Sequence, residues 1–120
     1  MGSLRIAVAS KDGVAVNEHF GHAKKFYAYD VSVAGSQLIE ERQVKHYCLG
    51  GSSDKSAMAD ILETINDCTA VLVARIGDGP AGKLKLRGIQ AVTEYTWEEI
   101  DSSLMNYIDT VSVDYENTSE

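Results

Sequence analysis

All three histidines of this chain fall in two glycine-containing segments, together with one of its two cysteines. The first segment holds His19 and His22, and the second holds His46 and Cys48. Imidazole and thiolate are side chains that bind zinc, copper and iron–sulfur species in proteins. The residue types therefore indicate a site for a metal-containing ligand.

The spacing of His19 and His22 predicts that both rings lie on one side of a first helical turn, where they could contact the same ligand. Asn17 is expected to cap this turn with its side chain. Gly21 places no side chain between the two imidazoles, which would let a bulky ligand approach the backbone. The alternative interpretation is a solvated turn in which the histidines are incidental.

His46 and Cys48 share one face if residues 45–48 are extended, because side chains alternate along a strand. Cys48 is then expected to have some thiolate character beside Lys45 and His46. The alternative is a loose connection into the next helix. Cys68 lies between a helix end and an apolar strand, and it is expected to be a small hydrophobic residue of the core.

Several basic residues fall near these loops although the chain as a whole is acidic. They are Lys11, Lys24, Lys25, Lys45 and Arg75. Together they predict a locally positive opening that favours an anionic ligand, whereas each of them alone is more often a solvated surface residue. Gly77-Asp78-Gly79-Pro80 opens a helix after an apolar strand, where free N–H groups could receive an anion.

The length of 120 residues and the net charge of −7 predict one acidic domain. We expect no nucleic-acid partner, since that interaction depends on lysine and arginine, and no membrane partner or export signal. The expected location is cytoplasmic, as a monomer or weak homodimer. The domain is expected over residues 4–112, with residues 1–3 as a cloning remnant and residues 113–120 as a polar tail.

Apolar patterning predicts a single α/β domain. Strands are expected at residues 4–10 (in the centre), 26–33, 37–45, 70–74 and 89–92, and helices from Ser53 to about Asn66, at residues 81–87 and after a cap at Thr96. The run at residues 70–74 is apolar without alternation, which is typical of a strand covered on both faces. We therefore expect a mixed sheet with helices on both of its faces.

Signatures of catalysis are mostly missing from the sequence, which has no nucleophile elbow, no Cys-x-x-Cys and no three-cysteine radical motif. Asp12, Asp30 and Asp78 could form the carboxylate set of a two-metal nuclease. Asp12 and Asp78 have simpler explanations in a turn and a helix cap, and the negative charge disfavours nucleic acid. We expect a protein that is not an enzyme.

Five segments carry a resemblance to a known family. They are Ile6–Ala9, Val16–Lys24, Tyr47–Gly51, Ile65–Cys68 and Val71–Gly77. The chain resembles the dinitrogenase iron–molybdenum cofactor biosynthesis family over nearly its whole length, and within it the NifX-type domain at the carboxyl end of a cofactor-assembly enzyme. The His-Phe-Gly-His motif is specific, whereas the strand matches are generic.

The resemblance implies a ribonuclease H-like fold with a mixed five-stranded sheet, and a carrier that is not a catalyst. The implied ligand is an iron–sulfur cofactor precursor, either a NifB-type cluster or the iron-molybdenum cofactor, and the implied partners are nitrogenase cofactor-assembly proteins. The expected contacts are His19, His22, Asn17, Gly21, His46, Cys48, Lys24 and Arg75, of which His19, His22 and Cys48 would bind metal. The alternative is a metal-free regulatory or protein-docking domain of the same machinery.

Overall fold

The amino-terminal apolar run forms the central strand of the sheet. In the computed structural model, which describes residues 4–44 and 60–118, this strand is β1, Leu4–Ala9. Ile6 and Val8 point to one face of the sheet, and Ala7 and Ala9 point to the other. All four are at most 1% exposed because both faces are covered. The predicted central strand is confirmed.

Four further strands complete a mixed sheet around β1. β2, Lys25–Ser32, and β3, Gly35–Gln43, form the predicted antiparallel hairpin, and β2 pairs antiparallel with β1. β4, Ala70–Leu72, and β5, Gln90–Val92, run parallel to β1 on its other side. The order across the sheet is β3-β2-β1-β4-β5. The predicted five-stranded mixed sheet of an α/β fold is therefore confirmed.

Helices cover both faces of this sheet, as the apolar patterning predicted. α1 is described from residue 60 to residue 64, α2 is Asp78–Leu86 and α3 is Ile100–Thr118. α1 and α2 pack on the face of Ala7 through Ile61, Leu62 and Leu84, and α3 packs on the face of Ile6 through Ile100, Leu104 and Ile108. Burying each of these aliphatic side chains contributes about 1.5–3 kcal/mol. Of the helices in the described ranges, none is long and apolar enough to cross a membrane.

Two helix boundaries differ from the predictions. The helix expected at residues 81–87 begins earlier, at Asp78, because Pro80 lies in its first turn, where a missing N–H is tolerated. Thr96 is not a helix cap, so that prediction is wrong. Its hydroxyl donates to the carbonyl oxygens of Ala74 (3.1 Å) and Thr93 (2.9 Å), and α3 begins only at Ile100.

The last helix is longer than the predicted domain boundary. Its backbone continues without a break from residue 112, where the domain was expected to end, to Thr118. Residues 113–118 of the predicted polar tail are therefore helical.

An ionic cluster joins the hairpin to the turn after α1. Both oxygens of Asp67 accept hydrogen bonds from the Arg42 guanidinium, and Arg5 donates to the same carboxylate at 3.2 Å and to Asp30 at 2.8 Å. Arg42 also donates to the carbonyl oxygen of Thr64 at 3.0 Å. Hydrogen bonding to Arg42 is the main reason why the pKa of Asp67 lies well below its usual range. The cluster thus holds β3, β1 and the end of α1 together.

We predict that Asp67→Asn lowers the free energy of unfolding by only about 1 kcal/mol at pH 7. The loss is small because solvent screens the ion pair between Asp67 and Arg42. A carboxyl group whose pKa is depressed in the folded protein stabilises above its unfolded pKa of about 3.9 and loses that contribution as the pH falls below it. Urea unfolding between pH 7 and pH 3 should show the difference between variant and native protein shrinking. Asp109→Asn, at an exposed position of α3, is the control. A difference that does not depend on pH would contradict this account.

Candidate functional site

The segment that holds the two histidines is joined by its backbone to the ends of two parallel strands. The Glu18 N–H donates to the carbonyl oxygen of Ala9 at 3.3 Å, and the Glu18 carbonyl accepts from Ala74 at 2.9 Å. The Phe20 N–H donates to the carbonyl oxygen of Arg75 at 2.8 Å, and His19 and Arg75 form a parallel bridge. The segment therefore lies between the ends of β1 and β4, at the carboxyl edge of the sheet.

Phe20 holds this turn to the core. Its side chain is fully buried, and its ring centroid lies 6.0 Å from that of Phe26 with the planes tilted by 54°. The turn is a single 3₁₀ turn, Phe20–His22. The His22 N–H donates to the His19 carbonyl at 3.1 Å. Burial of the phenylalanine between them leaves the two histidines on the outer side of the turn.

The two imidazoles are stacked on each other. Their ring centroids are 5.2 Å apart and their planes differ by 17°. His19 is half-buried and His22 is exposed. The structure thus brings the two rings together on one side of a turn, as the spacing predicted, while their role as metal ligands stays a prediction.

Asn17 does not cap the histidine turn, so that prediction is wrong. The turn begins at His19 without a side-chain cap. Asn17 is buried, its side-chain oxygen accepts from the Lys11 N–H at 2.8 Å, and its amide donates to Asp12 at 3.3 Å. Its hydrogen bonds therefore fix the preceding loop, while its predicted contact with a ligand stays a prediction.

Asp12 organises the same loop. Its carboxylate accepts from the N–H groups of Val14 and Ala15 at 2.9 Å and 3.3 Å, and these backbone bonds lower its pKa. Gly13, between Asp12 and Val14, has a φ of 77°. A Cβ added to it would lie 3.1 Å from the hydroxyl of Tyr27. The conformation therefore favours glycine, and the space beside Tyr27 is tight for a larger residue.

Gly21 lies at an open position between the two histidines. The residue is exposed, and a Cβ added to it would meet no atom of the described residues within 4 Å. Glycine is therefore not needed there to avoid a clash within the protein. This agrees with a position left free for a ligand.

A surface cleft of about 480 Å³ opens beside the histidine turn. It is lined by Ser10, Lys11, Glu18, Lys24, Lys25 and Gln43. Lys25 is already paired, since hydrogen bonding to Tyr27 and to Glu41 raises its pKa. Lys24 is exposed at the rim, as predicted for a residue that could meet an anion.

Three basic residues lie around the histidine turn. Lys11 and Lys24 line the cleft, and Arg75 lies opposite His19 in the backbone bridge. Within residues 4–44 and 60–118, none of the three forms an ion pair. Glu18 also lines the cleft, so the predicted positive character of this edge, which an anionic guest could use, stays a prediction.

Some predicted contacts lie outside the described residues. They are His46, Cys48 and Lys45. In the part of the chain that the structure describes, no group of three or more His, Cys, Asp or Glu side chains could hold a metal ion. If the two imidazoles of the turn bind a metal, the described residues supply only part of its ligands.

The nuclease hypothesis does not agree with the positions of its carboxylates. Asp30 pairs with Arg5 near the start of β1, whereas Asp12 follows the end of that strand and already accepts hydrogen bonds from the loop. The two cannot share a pair of metal ions. Cys68 is buried as predicted, and burial is the main cause that raises its pKa to about 12, which disfavours the thiolate.

Sequence reasoning missed the residues that position the site. The motif alone does not predict that Phe20 anchors the turn. The signal that could have found it is its residue type, because a large aromatic side chain is usually buried in the core. The pairing of residues 18–20 with Ala74 and Arg75 has no local signal, because it joins segments far apart in the chain.

Comparison with known proteins agrees with this architecture. The model of the dinitrogenase iron-molybdenum cofactor family matches residues 2–110. The FeMo cofactor biosynthesis protein NifB of Herbaspirillum seropedicae is 46% identical over 105 residues, which are 88% of this chain and 20% of that protein. The NifB protein of Azotobacter vinelandii is 37% identical over 103 residues, which are 83% of this chain and also 20% of the relative. The chain thus spans a small part of these curated relatives.

Solved structures show the same fold in proteins of similar length. PH0822 matches with a TM-score of 0.66 and 21% identity, covering 89% of this chain and 92% of that chain. A protein of Methanocaldococcus jannaschii matches with a TM-score of 0.58 and 12% identity, covering 92% of both chains. The family model covers most of the chain, including the histidine turn and the whole sheet. The chain therefore belongs to the dinitrogenase iron-molybdenum cofactor family.

Proposed function

We propose that this domain binds an iron–sulfur precursor of the nitrogenase iron-molybdenum cofactor and passes it to other proteins of cofactor assembly. Membership of the family and the names of the curated relatives support a place in iron-molybdenum cofactor biosynthesis. The observation that carries the proposal is the stacked pair of His19 and His22, at an edge where Lys11, Lys24 and Arg75 form no ion pair with a described residue. On this view the domain is a carrier and not an enzyme, and its location is cytoplasmic.

The ring geometry favours a guest with more than one metal atom. A single ion bound by two imidazoles must lie in both ring planes, about 2.1 Å from each nitrogen. Stacked rings whose planes differ by 17° have no such point close to both of them. Their lone pairs instead lie in separate, nearly parallel planes and could end on two atoms of one cluster.

Charge and openness suit a guest that must leave again. Iron–sulfur clusters with sulfide ligands are anionic, and Lys11, Lys24 and Arg75 offer them positive charge without permanent bonds. A closed set of four protein ligands would make a structural site, which exchanges slowly. Two imidazoles at an exposed turn favour transfer.

The finer fold assignment is also part of this proposal. We assign the domain to the ribonuclease H-like class, and the order β3-β2-β1-β4-β5 with β2 antiparallel to its neighbours supports the assignment. Helices on both faces agree with it.

The second candidate is a metal-free docking domain of the assembly machinery. The observation in its favour is that the described residues contain no group of three metal-binding side chains. The two candidates differ in whether the isolated chain retains iron.

We predict that His19→Ala and His22→Ala each weaken anaerobic binding of the precursor, and that the double variant does not retain it. Loss of residues that only support a ligand costs about 10–100-fold in metal affinity, so that loss of a ligand should cost at least as much. Iron content and visible absorption after anaerobic gel filtration measure the effect, and circular dichroism checks the fold. Undiminished binding by the double variant would refute this site. A chain that binds no precursor but still binds an assembly protein would favour the docking alternative.

We predict that Gly21→Leu weakens precursor binding while leaving the stability of the protein unchanged to within about 0.5 kcal/mol. A Cβ at this position lies more than 4 Å from every described atom, so the added side chain should obstruct mainly a guest that approaches the backbone. Gly82→Leu is the matched control, since a Cβ on this exposed glycine of α2 is equally unhindered. Equal binding by the two variants would show that the guest does not approach Gly21.

We predict that Arg75→Gln weakens binding several-fold at low salt, and that the difference shrinks as salt screens the charge. The backbone bond from Phe20 to the Arg75 carbonyl does not involve the substituted side chain, so the histidine turn should keep its place. Arg87→Gln, an exposed change just after α2, is the control for net charge. Parallel losses in the two variants would mean that only overall charge matters.

A further inference from the structure

The only tryptophan of the chain, Trp97, is presented to solvent in an uncommon backbone conformation. Its side chain is 68% exposed, and its φ is 71°. A bulky residue in the left-handed region is rare and costs on the order of 1–3 kcal/mol unless the surrounding structure holds it. Because the indole contributes little to the core, folding alone does not account for tryptophan at this position.

The backbone on both sides of Trp97 is held firmly. The Trp97 N–H donates to the carbonyl oxygen of Val16 at 2.8 Å, and the Val16 N–H donates to the carbonyl oxygen of Glu98 at 2.9 Å. The hydroxyl of Thr96 donates to the Ala74 carbonyl, which belongs to the strand end that also pairs with Glu18. The backbone that carries the indole is therefore fixed before any partner arrives, which lowers the entropy cost of binding.

A second exposed apolar residue lies on the segment that pairs with this turn. Val14 is 58% exposed, and its carbonyl accepts from the Ile100 N–H at 2.8 Å. The neighbouring residue, Ala15, forms an antiparallel bridge with Glu99. We call Val14, Trp97, Glu98 and Glu99 the Trp97 surface.

The charged residues that flank Trp97 in the sequence are all acidic. Residues 88–120 contain eight of the 18 Asp and Glu and none of the 11 Lys and Arg, so the negative net charge of the chain arises there. Glu94, Glu98 and Glu99 are all exposed. After burial, the charges of Glu94 and Glu98 are among the causes that raise the pKa of Tyr95, which shows that both carboxylates lie close to this turn.

We propose that the Trp97 surface docks a cationic segment of another protein, with the indole in an apolar pocket and lysine or arginine side chains on the carboxylates. An exposed tryptophan within a charged rim is the usual composition of an interface hot spot. The carboxylates repel the phosphates of nucleic acids and of lipid headgroups, which leaves a basic polypeptide as the partner. A second copy of the chain is less suitable, because its net charge is also negative.

The Trp97 surface lies near the proposed cargo site, so that docking there could serve the transfer of cargo, a role that rests on the proposed function. Thr96 contacts Ala74, and Ala74 is paired with Glu18, the residue before His19. A protein bound at Trp97 would therefore lie at the same edge of the sheet as the histidine turn. Docking there would bring a donor or acceptor of cargo next to the two imidazoles.

The test uses a short fluorescein-labelled peptide of lysine, arginine and leucine, with a peptide carrying glutamate in place of each cation as the negative probe. The native chain should bind only the cationic peptide, and the emission of Trp97, the only tryptophan, should shift to shorter wavelength with the unlabelled peptide. By fluorescence anisotropy, Trp97→Ala should raise the Kd about tenfold or more, as loss of a hot-spot residue does. Glu98→Gln with Glu99→Gln should also weaken binding and reduce its salt dependence.

Leu86→Ala, which removes an apolar side chain that is 89% exposed on α2, and Glu63→Gln on α1 are the controls, and both should bind like the native chain. The double variant at His19 and His22 should also bind the peptide normally, so that failure of the cargo proposal and failure of this one can be told apart. No binding of the cationic peptide by the native chain, or equal binding by Trp97→Ala, would overturn the proposal. Binding of anionic vesicles through Trp97, or self-association in sedimentation velocity that Trp97→Ala abolishes, would also overturn it.

Discussion

The candidate site depends on one backbone arrangement, the insertion of residues 18–20 between the ends of β1 and β4. Three hydrogen bonds make it, from Glu18 to Ala9, from Ala74 to Glu18 and from Phe20 to Arg75. A loop at the edge of a sheet would otherwise expose both imidazoles without a fixed direction. Here the sheet continues into the loop, and the buried ring of Phe20 fixes which side of the turn faces outward. The geometry of the histidine pair follows from this insertion.

Much of the architecture could be predicted from local pattern. The apolar alternation of residues 4–9, the hairpin and the four-residue spacing of Ile100, Leu104 and Ile108 each reflect contact with the core, which is the strongest signal in a single sequence. The position of His19 and His22 on one side of the turn could also be predicted, because two residues three positions apart in a tight turn must lie close together.

The errors have physical causes as well. Asn17 and Thr96 are residue types that cap helices, but both form other hydrogen bonds, Asn17 within the preceding loop and Thr96 with a residue 22 positions away. Asn17 joins the Asp12 loop, and Thr96 reaches the carbonyl of Ala74. Capping propensity reports only local competition for hydrogen bonds, so it cannot reveal a partner that the fold supplies. For the same reason, the parallel bridge between His19 and Arg75 could not be predicted from the local sequence.

Opposite charges lie at neighbouring places on this edge of the sheet. Near the histidine turn, Lys11, Lys24 and Arg75 form no ion pair with the described residues, whereas the charged side chains of the Trp97 turn are all carboxylates. An anionic cargo and a cationic protein would therefore be drawn to neighbouring but different places, which limits competition between them. Such a division suits a domain that must hold a guest and meet another protein at the same time.

The most direct test of the central claim is pulsed electron paramagnetic resonance on the domain loaded with precursor in a paramagnetic state and labelled with ¹⁵N-histidine. If the imidazoles of the turn bind the cluster, the spectrum should show ¹⁵N hyperfine coupling that is lost when His19 and His22 are replaced by alanine. A bound cluster without nitrogen coupling, or coupling that persists in the double variant, would contradict the account.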